Sequence, residues 1–375
     1  MAVLVQRRYG GSDLGDLGKH RELIVHSQDP FNAEPPLRLL GREFITPTDL
    51  FYVRDHGTVP EIDPGRFRLQ VDGLVRDGLE LSLEDLRSRF PSRTVSATLQ
   101  CAGNRRRELM DIEPIPDEVA WREGVIGTAR WTGVLLRDVL KAAGVRDGAA
   151  HVAFAGLDQV EKDSRRFGFG GSIPLSKALG DETLLAWEMN GQPIPPLHGF
   201  PLRAVVPGYI GARSVKWLES IRVQHEPSDN YFQQRDYRLF PRQVRPHAVD
   251  RDQGLMLGEL SVNAVICSPG DGDTVAAGPV AVEGYATAGG PRWVARVDVS
   301  VDDGQSWTGA ELLGPDEPGA WRLWRAELNL EEGERQIVAR ALDSSANIQP
   351  DQPGPLWNFR GYVNNAWHRV TITGV

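Results

Sequence analysis

Thr94-Val-Ser-Ala-Thr-Leu-Gln-Cys-Ala-Gly-Asn-Arg-Arg-Arg107 sets the reading of this chain. The run Thr94–Leu99 is rich in residues that suit a pleated, half-buried strand. It delivers the chain to a turn that holds Cys101, Gly103 and three successive arginines. Outward from it, strand and helix signals alternate without repeating. Leu69 to Val75 alternates like a strand. Ser82-Leu-Glu-Asp85 predicts a short helix opened by a capping box, with Asp in place of Glu. Val134 to Ala143 has helical spacing and stops at Gly144, a suitable residue after a helix end. Asn190-Gly191 between apolar runs predicts a hairpin turn. This mixed order predicts an α+β domain over about 41–225.

Beyond it the pattern changes twice. Residues 226–258 are polar and irregular and read as a linker with local structure. After about 259 the signals are short strands and turns. Val297, Val299 and Val301 alternate with Asp298 and Ser300 ahead of Asp303-Gly304, and further strands are predicted over Trp321 to Leu330 and Gln336 to Leu342. That spacing predicts a β-sandwich. Trp293, Trp307, Trp321 and Trp324 exceed what one small core readily uses, so some are expected to face a partner. Upstream, Pro30, Pro35 and Pro36 break any helix, and an irregular surface-wrapping arm is expected over 1–40. The resulting division is an arm (1–40), a larger domain (41–250) and a sandwich (259–375).

The chain has 375 residues, enough for about two domains, with 41% hydrophobic and 25% charged residues. Lys and Arg number 42 against 51 Asp and Glu, a net charge of −9, which argues against a nucleic-acid partner. The positive charge is almost all Arg, so an anion site here is expected to use guanidinium forks. No apolar stretch approaches the ~18 residues of a membrane span. Arg7–Arg8 is followed by Gly, Ser and Asp rather than the apolar core of an export signal, so a cytoplasmic protein is expected. Cys101 and Cys267 are too few for a disulfide framework or a four-cysteine zinc site.

Cys101 beside arginines favours thiolate, the metal-binding form. A buried Cys in a turn with solvated arginines is the plainer reading of the same residues. Arg54 and His56 share one face of a strand by period-2 spacing. His198-Gly-Phe-Pro-Leu-Arg203 and Gly208 to Lys216 offer cations and backbone amides for an anion. Each is weak alone.

Taken together, FYVRDH (51–56), TLQCAGNRRREL (98–109), TARWTGVLLRDVL (128–140), HVAFAGLD (151–158), EMNGQPIPPLHGFPLRAVVPGYIGARSVKWL (188–218) and WNFRGYVNNAWHRV (357–370) resemble the sulfite oxidase family of molybdenum enzymes. The resemblance runs in family order from about 41 to the end. It implies a mixed α/β domain holding a molybdenum–molybdopterin cofactor, followed by an immunoglobulin-like dimerisation domain. It makes Cys101 the protein thiolate on molybdenum. It puts cofactor contacts on Phe51, Tyr52, Val53, Arg54, His56, Asp158, His198, Arg203, Ser214, Val215 and Lys216, and the substrate pocket on Arg54, Arg106, Trp121 and Arg360. The implied activity is oxidation of sulfite to sulfate in a homodimer without haem, with electrons leaving to a separate acceptor such as a cytochrome or oxygen. A reductase of nitrate or an S-oxide on the same scaffold, and a non-catalytic anion-binding relative, are the alternatives. One departure concerns Phe169. Animal and plant sulfite oxidases carry Tyr five residues before the Pro of Ser-Ile-Pro, so a hydroxyl that would orient the anion is absent here; Tyr52 or Tyr209 would have to replace it.

Overall fold

Ser82 caps the helix Leu83–Arg89 as its sequence predicts. Its hydroxyl accepts from the Asp85 amide, and the Asp85 carboxylate accepts from the Ser82 amide. The helix Leu136–Ala143 buries Leu136, Val139, Leu140 and Ala143, the one-face spacing of an amphipathic helix, and ends at Gly144 with φ 70°. Only its first two expected residues differ: Val134 and Leu135 finish the strand Ile126–Leu135. Asn190 and Gly191, with φ of 53° and 75°, close the hairpin between Leu184–Met189 and Gln192–Pro193. Two positive φ values at the turn match the right-handed twist of the strands it joins.

The computed structural model describes residues 13–162, 164–247, 249–250 and 253–375, with the backbone of 5–7. The larger unit holds two five-stranded sheets. One runs Gly170–Pro174, His151–Gly156, Leu218–Gln224, Leu69–Gly73, Leu79–Leu81, with a parallel pair between Leu218–Gln224 and Leu69–Gly73. The other runs Gln192–Pro193, Leu184–Met189, Ile126–Leu135, Ser92–Gln100, and Arg203–Val205 pairs onto Leu184–Met189. The two helices pack with the first sheet over Leu69, Leu86, Val139, Leu140, Val152 and Ile221.

The second unit is a β-sandwich of a four-stranded and a five-stranded sheet. In Arg322–Leu330, Trp324, Ala326, Leu328 and Leu330 point inward while Arg325, Glu327 and Asn329 point out, the period-2 pattern of a strand buried on one face. Trp321 and Trp324 are buried, and Trp307 lies edge-on to Trp367 with Arg340 over its ring. Trp293 is 59% exposed, so of the four tryptophans expected to over-fill the core it alone faces outward.

Two expectations are corrected. Within the described part of the arm, Ile24–Gln28 and Phe31–Glu34 form a hairpin extended by Val53–Arg54, and Phe31–Glu34 is wholly buried. Pro36 does not break a helix but precedes one, Leu37–Leu40, because a helix start has no need of the amide that Pro lacks. The segment 226–258 is also more than a linker. A single π turn, Phe232–Asp236, buries Phe232, Gln233 and Asp236 and leads into the buried Tyr237.

Candidate active site

The strand Ser92–Gln100 ends at a tight loop built around Cys101. The Cys101 amide donates to the Val125 carbonyl at 3.0 Å, the Asn104 amide to the Cys101 carbonyl at 3.0 Å, and the Gly103 amide to Cys101 Sγ at 3.4 Å. A Cβ on Gly103 would lie 2.6 Å from the Arg106 guanidinium, so only glycine lets that arginine pass beneath the thiol. Arg105 takes φ 65° at the start of the helix Arg106–Ile112.

The three arginines do different things. Arg105 is fully buried, donates to both Glu108 oxygens, and reaches Asn263 Oδ1 at 2.8 Å and the Ala366 carbonyl at 2.7 Å in the sandwich unit. Arg106 donates to the carbonyls of Arg360 and Val119, both at 2.9 Å. Arg107 forms a surface pair with Asp111. Their sum does not make the free thiol acidic. Burial pushes the Cys101 thiol up, against the pull of Arg54 and Arg106. This corrects the expectation drawn from the arginine run: desolvation of the thiolate outweighs the neighbouring cations until another positive charge joins the site.

Above Cys101 opens a cavity. Phe51, Tyr52, Arg54 and His56 line it from one strand end, Asp158 and Phe169 from a second segment, His198, Arg203, Ser214 and Lys216 from a third. Hydrogen bonds fix the cations. Arg203 donates to the carbonyls of His198 at 2.7 Å and Ser214 at 3.0 Å. Lys216 pairs with Asp55 and donates to the Leu197 carbonyl at 2.9 Å. Arg54 is held by Asn32 Oδ1 at 3.2 Å, from the hairpin, and by the Asp55 carbonyl at 2.6 Å. Lys19, also from the expected arm, donates to His198 Nε2 at 2.7 Å. Burial, aided by these cations, holds His56 and His198 well below the usual imidazole range, so both are neutral. Burial raises Asp158 to about 7, although its carboxylate accepts from the Phe169 amide at 3.1 Å.

Eleven of the expected site residues therefore line one cavity. Val53 and Val215 do not; they are buried in the packing behind it. Arg106, Trp121 and Arg360 do not either. Trp121 is fully buried against His26. Arg360 is held by Glu118 at 2.9 Å and Asp236 at 2.5 Å, Asp236 is also held by Lys162 at 2.8 Å, and Glu118 lies 3.4 Å from Arg106. Carboxylates thus occupy the guanidiniums expected to meet substrate, yet three cations against two carboxylates leave the group with one net positive charge. Tyr209 packs under Lys177, outside the cavity lining, whereas Tyr52 lines it. Sequence reasoning missed Asp55, Glu118, Asp236 and Tyr237. Asp55 was legible as the acid inside FYVRDH; the others sit in irregular segments without a pattern.

Comparisons with known proteins bear on this arrangement. The model of the oxidoreductase molybdopterin binding domain matches residues 56–232, and that of the Mo-co oxidoreductase dimerisation domain matches 255–374. The sulfite oxidase of Arabidopsis thaliana is 40% identical over 377 residues, covering 94% of each chain. The chain belongs to the sulfite oxidase family. The mitochondrial sulfite oxidase of Rattus norvegicus is 47% identical over 365 residues; the match takes in 94% of this chain and 66% of the rat protein's length. Among solved structures, the sulfane dehydrogenase SoxCD of Paracoccus pantotrophus superposes with a TM-score of 0.78 at 27% identity, covering 92% of this chain and 85% of that one. The residues fit the family's molybdopterin. A soft thiol faces a cavity, cations and neutral imidazoles surround it, and Asp55 Oδ2, in the lining, is buried without a partner among the described residues, as an acceptor awaiting a donor-bearing ligand would be.

Proposed function

We propose that this chain oxidises sulfite to sulfate at a molybdenum–molybdopterin centre. The observation that carries the reading is the lone buried Cys101 thiol at the floor of a cavity walled by Arg54, His56, Arg203 and Lys216. Cys101 would hold the metal. Phe51, Tyr52, Val53, Arg54, His56, Asp158, His198, Arg203, Ser214, Val215 and Lys216 would hold the pterin, with Val53 and Val215 acting through the backbone they anchor. When bound, the centre supplies oxygen-atom transfer and stores two electrons. Overall, sulfite and water give sulfate, two protons and two electrons, and the electrons leave to a separate acceptor, a cytochrome or oxygen.

The chain's own residues prepare the site for an anion. Arg54 is fixed by Asn32 and the Asp55 carbonyl, so it need not reorganise when an oxyanion arrives. The surplus charge of the Arg106, Arg360 and Lys162 group attracts the anion although the protein carries −9 overall. The dimerisation-domain match and the exposed Trp293 support a homodimer joined through residues 259–375.

The test is direct. Purified protein is analysed for molybdenum and assayed for ferricyanide reduction by sulfite. One molybdenum per chain with sulfite-dependent reduction is expected. Metal-free protein, or turnover of nitrate without turnover of sulfite, overturns the reading.

A further inference from the structure

Lys19 is a buried cation from the arm with no part in the chemistry above. It is 6% exposed, and all three of its ammonium donors are used: on the carbonyls of Thr48 at 2.8 Å and Phe51 at 2.9 Å, and on His198 Nε2 at 2.7 Å. Phe51 and His198 line the cavity from two separate segments, so one ammonium staples both walls from behind. The chain around it is packed in place. Leu14, Leu17 and Leu23 rest with Leu50, Leu197 and Trp217. The Lys19 amide donates to the Leu14 carbonyl at 2.8 Å, and the His20 amide to the Asp49 carbonyl at 3.1 Å.

Lys19 is also the third cation on one short turn, Pro196–His198. Lys216 donates to the Leu197 carbonyl at 2.9 Å, Arg203 to the His198 carbonyl at 2.7 Å, and Lys19 to the His198 ring. Among the described residues, Asp55 is the only carboxylate in ion-pair contact with any of the three, through Lys216. Asp49 and Asp158 act from farther away. Like charges crowded in a buried place repel strongly. Burial, with Lys216 adding to it, lowers Lys19 to about 7. An anion at this end of the cavity would offset the repulsion and hold the ammonium charged. Arg203 and Lys216 line the cavity there, and Lys19 stands behind the imidazole.

We propose that residues 14–23 form a strap that closes behind the phosphate at the end of the molybdopterin side chain, with Lys19 as its positioning residue. The phosphate dianion offsets the three-cation cluster, so the strap docks more tightly on a loaded cavity than on an empty one. By reciprocity the docked strap slows loss of the cofactor. The proposal rests on the molybdopterin reading above and assigns the arm's part in it.

Two measurements on the full chain test it. In protein purified without cofactor, hydrogen exchange over residues 14–23 is followed in inorganic phosphate and in chloride of equal ionic strength. In cofactor-loaded protein, the rate of pterin release is read by fluorescence for wild type and for Lys19→Gln, which keeps two N–H donors and loses the charge. Phosphate is expected to slow wild-type exchange in the strap about tenfold and to leave that of Lys19→Gln unchanged, and Lys19→Gln is expected to release pterin about tenfold faster, the worth of one partly screened charge. Wild-type exchange that is the same in both salts overturns the proposal without recourse to a variant. So does a Lys19→Gln protein that keeps its pterin as long as wild type, which makes Lys19 a hydrogen-bonded staple only. A wild type that carries no molybdopterin overturns the cofactor reading itself, a result distinct from both.

Discussion

Replacing Arg360 by Gln removes the charge that two carboxylates share, one buried and one half-buried. Arg360 is 9% exposed, and its guanidinium meets Glu118 at 2.9 Å and Asp236 at 2.5 Å. Breaking a buried pair by removing one partner costs about 3–5 kcal/mol, because a charge is left uncompensated. Here neither carboxylate is abandoned: Asp236 keeps Lys162 at 2.8 Å, and Glu118 keeps Arg106 at 3.4 Å. Halving the figure gives about 2 kcal/mol. In a domain of this size each kcal/mol moves Tm by about 2–4 °C, so Arg360→Gln should lower Tm by about 4–8 °C at pH 7. Arg360→Lys should recover about half, since a point charge cannot bridge both carboxylates as a fork does. Calorimetry on the metal-loaded protein reads this. A Tm within 1 °C of wild type refutes the ion-pair arithmetic. The KM for sulfite, measured beside it, reports whether Arg360 also meets the anion; a tenfold rise would place it there.

Cys101→Ser should abolish sulfite turnover and lower the molybdenum content while leaving the fold nearly intact. Cys267→Ser should keep turnover but lose about 1–2 kcal/mol, because the thiol is buried against Leu40, Tyr285 and Trp321 and a hydroxyl costs more to desolvate there; equal loss of activity in both variants defeats the ligand assignment. Burial beside Glu108 raises Glu123 from 4.5 to about 7. The folded state then holds that proton more tightly than the unfolded chain, so this group's stability is full below about 4.5 and is lost as pH rises to about 7. Glu123→Gln should flatten this part of the Tm–pH curve and stabilise the protein at pH 7–8; parallel curves would refute it. Trp293→Arg should shift the sedimenting species from dimer toward monomer at micromolar concentration, and an unchanged dimer would place the interface elsewhere.

What could be read from the sequence was local. Ser82 and Asp85, Asn190-Gly191 and the Leu136–Ala143 face announce themselves, because capping, turn chemistry and helix period act over a few residues. The cavity lining was legible through family motifs wherever those motifs are continuous, as in FYVRDH and the 188–218 stretch. The ion-pair group was not. Asp236 and Arg360 lie far apart in the chain, and nothing near either one signals its partner. Tyr237 was hidden for a related reason: it follows a π turn, which has no sequence period, in a segment whose polarity reads as linker. The arm was misjudged because its prolines were weighed as helix breakers, whereas the burial of Asn32 and Glu34 depends on distant amides at Asp55, Arg122 and Gly124.

The clamp on the cysteine loop also orders events in time. Arg105 reaches the Ala366 carbonyl, Asn364 returns a bond to the Arg105 carbonyl, and the Val363 amide donates to Ala102. The partners of Arg105 lie 259 to 261 residues downstream of it. At about 5–20 residues per second, Cys101 would emerge roughly ten seconds to a minute before the groups that fix its loop. During that interval the thiol sits in an unfinished cradle, so metal insertion should follow synthesis of residues 363–366. Chains truncated before residue 357 should take up no molybdenum, while chains that include residues 363–366 should.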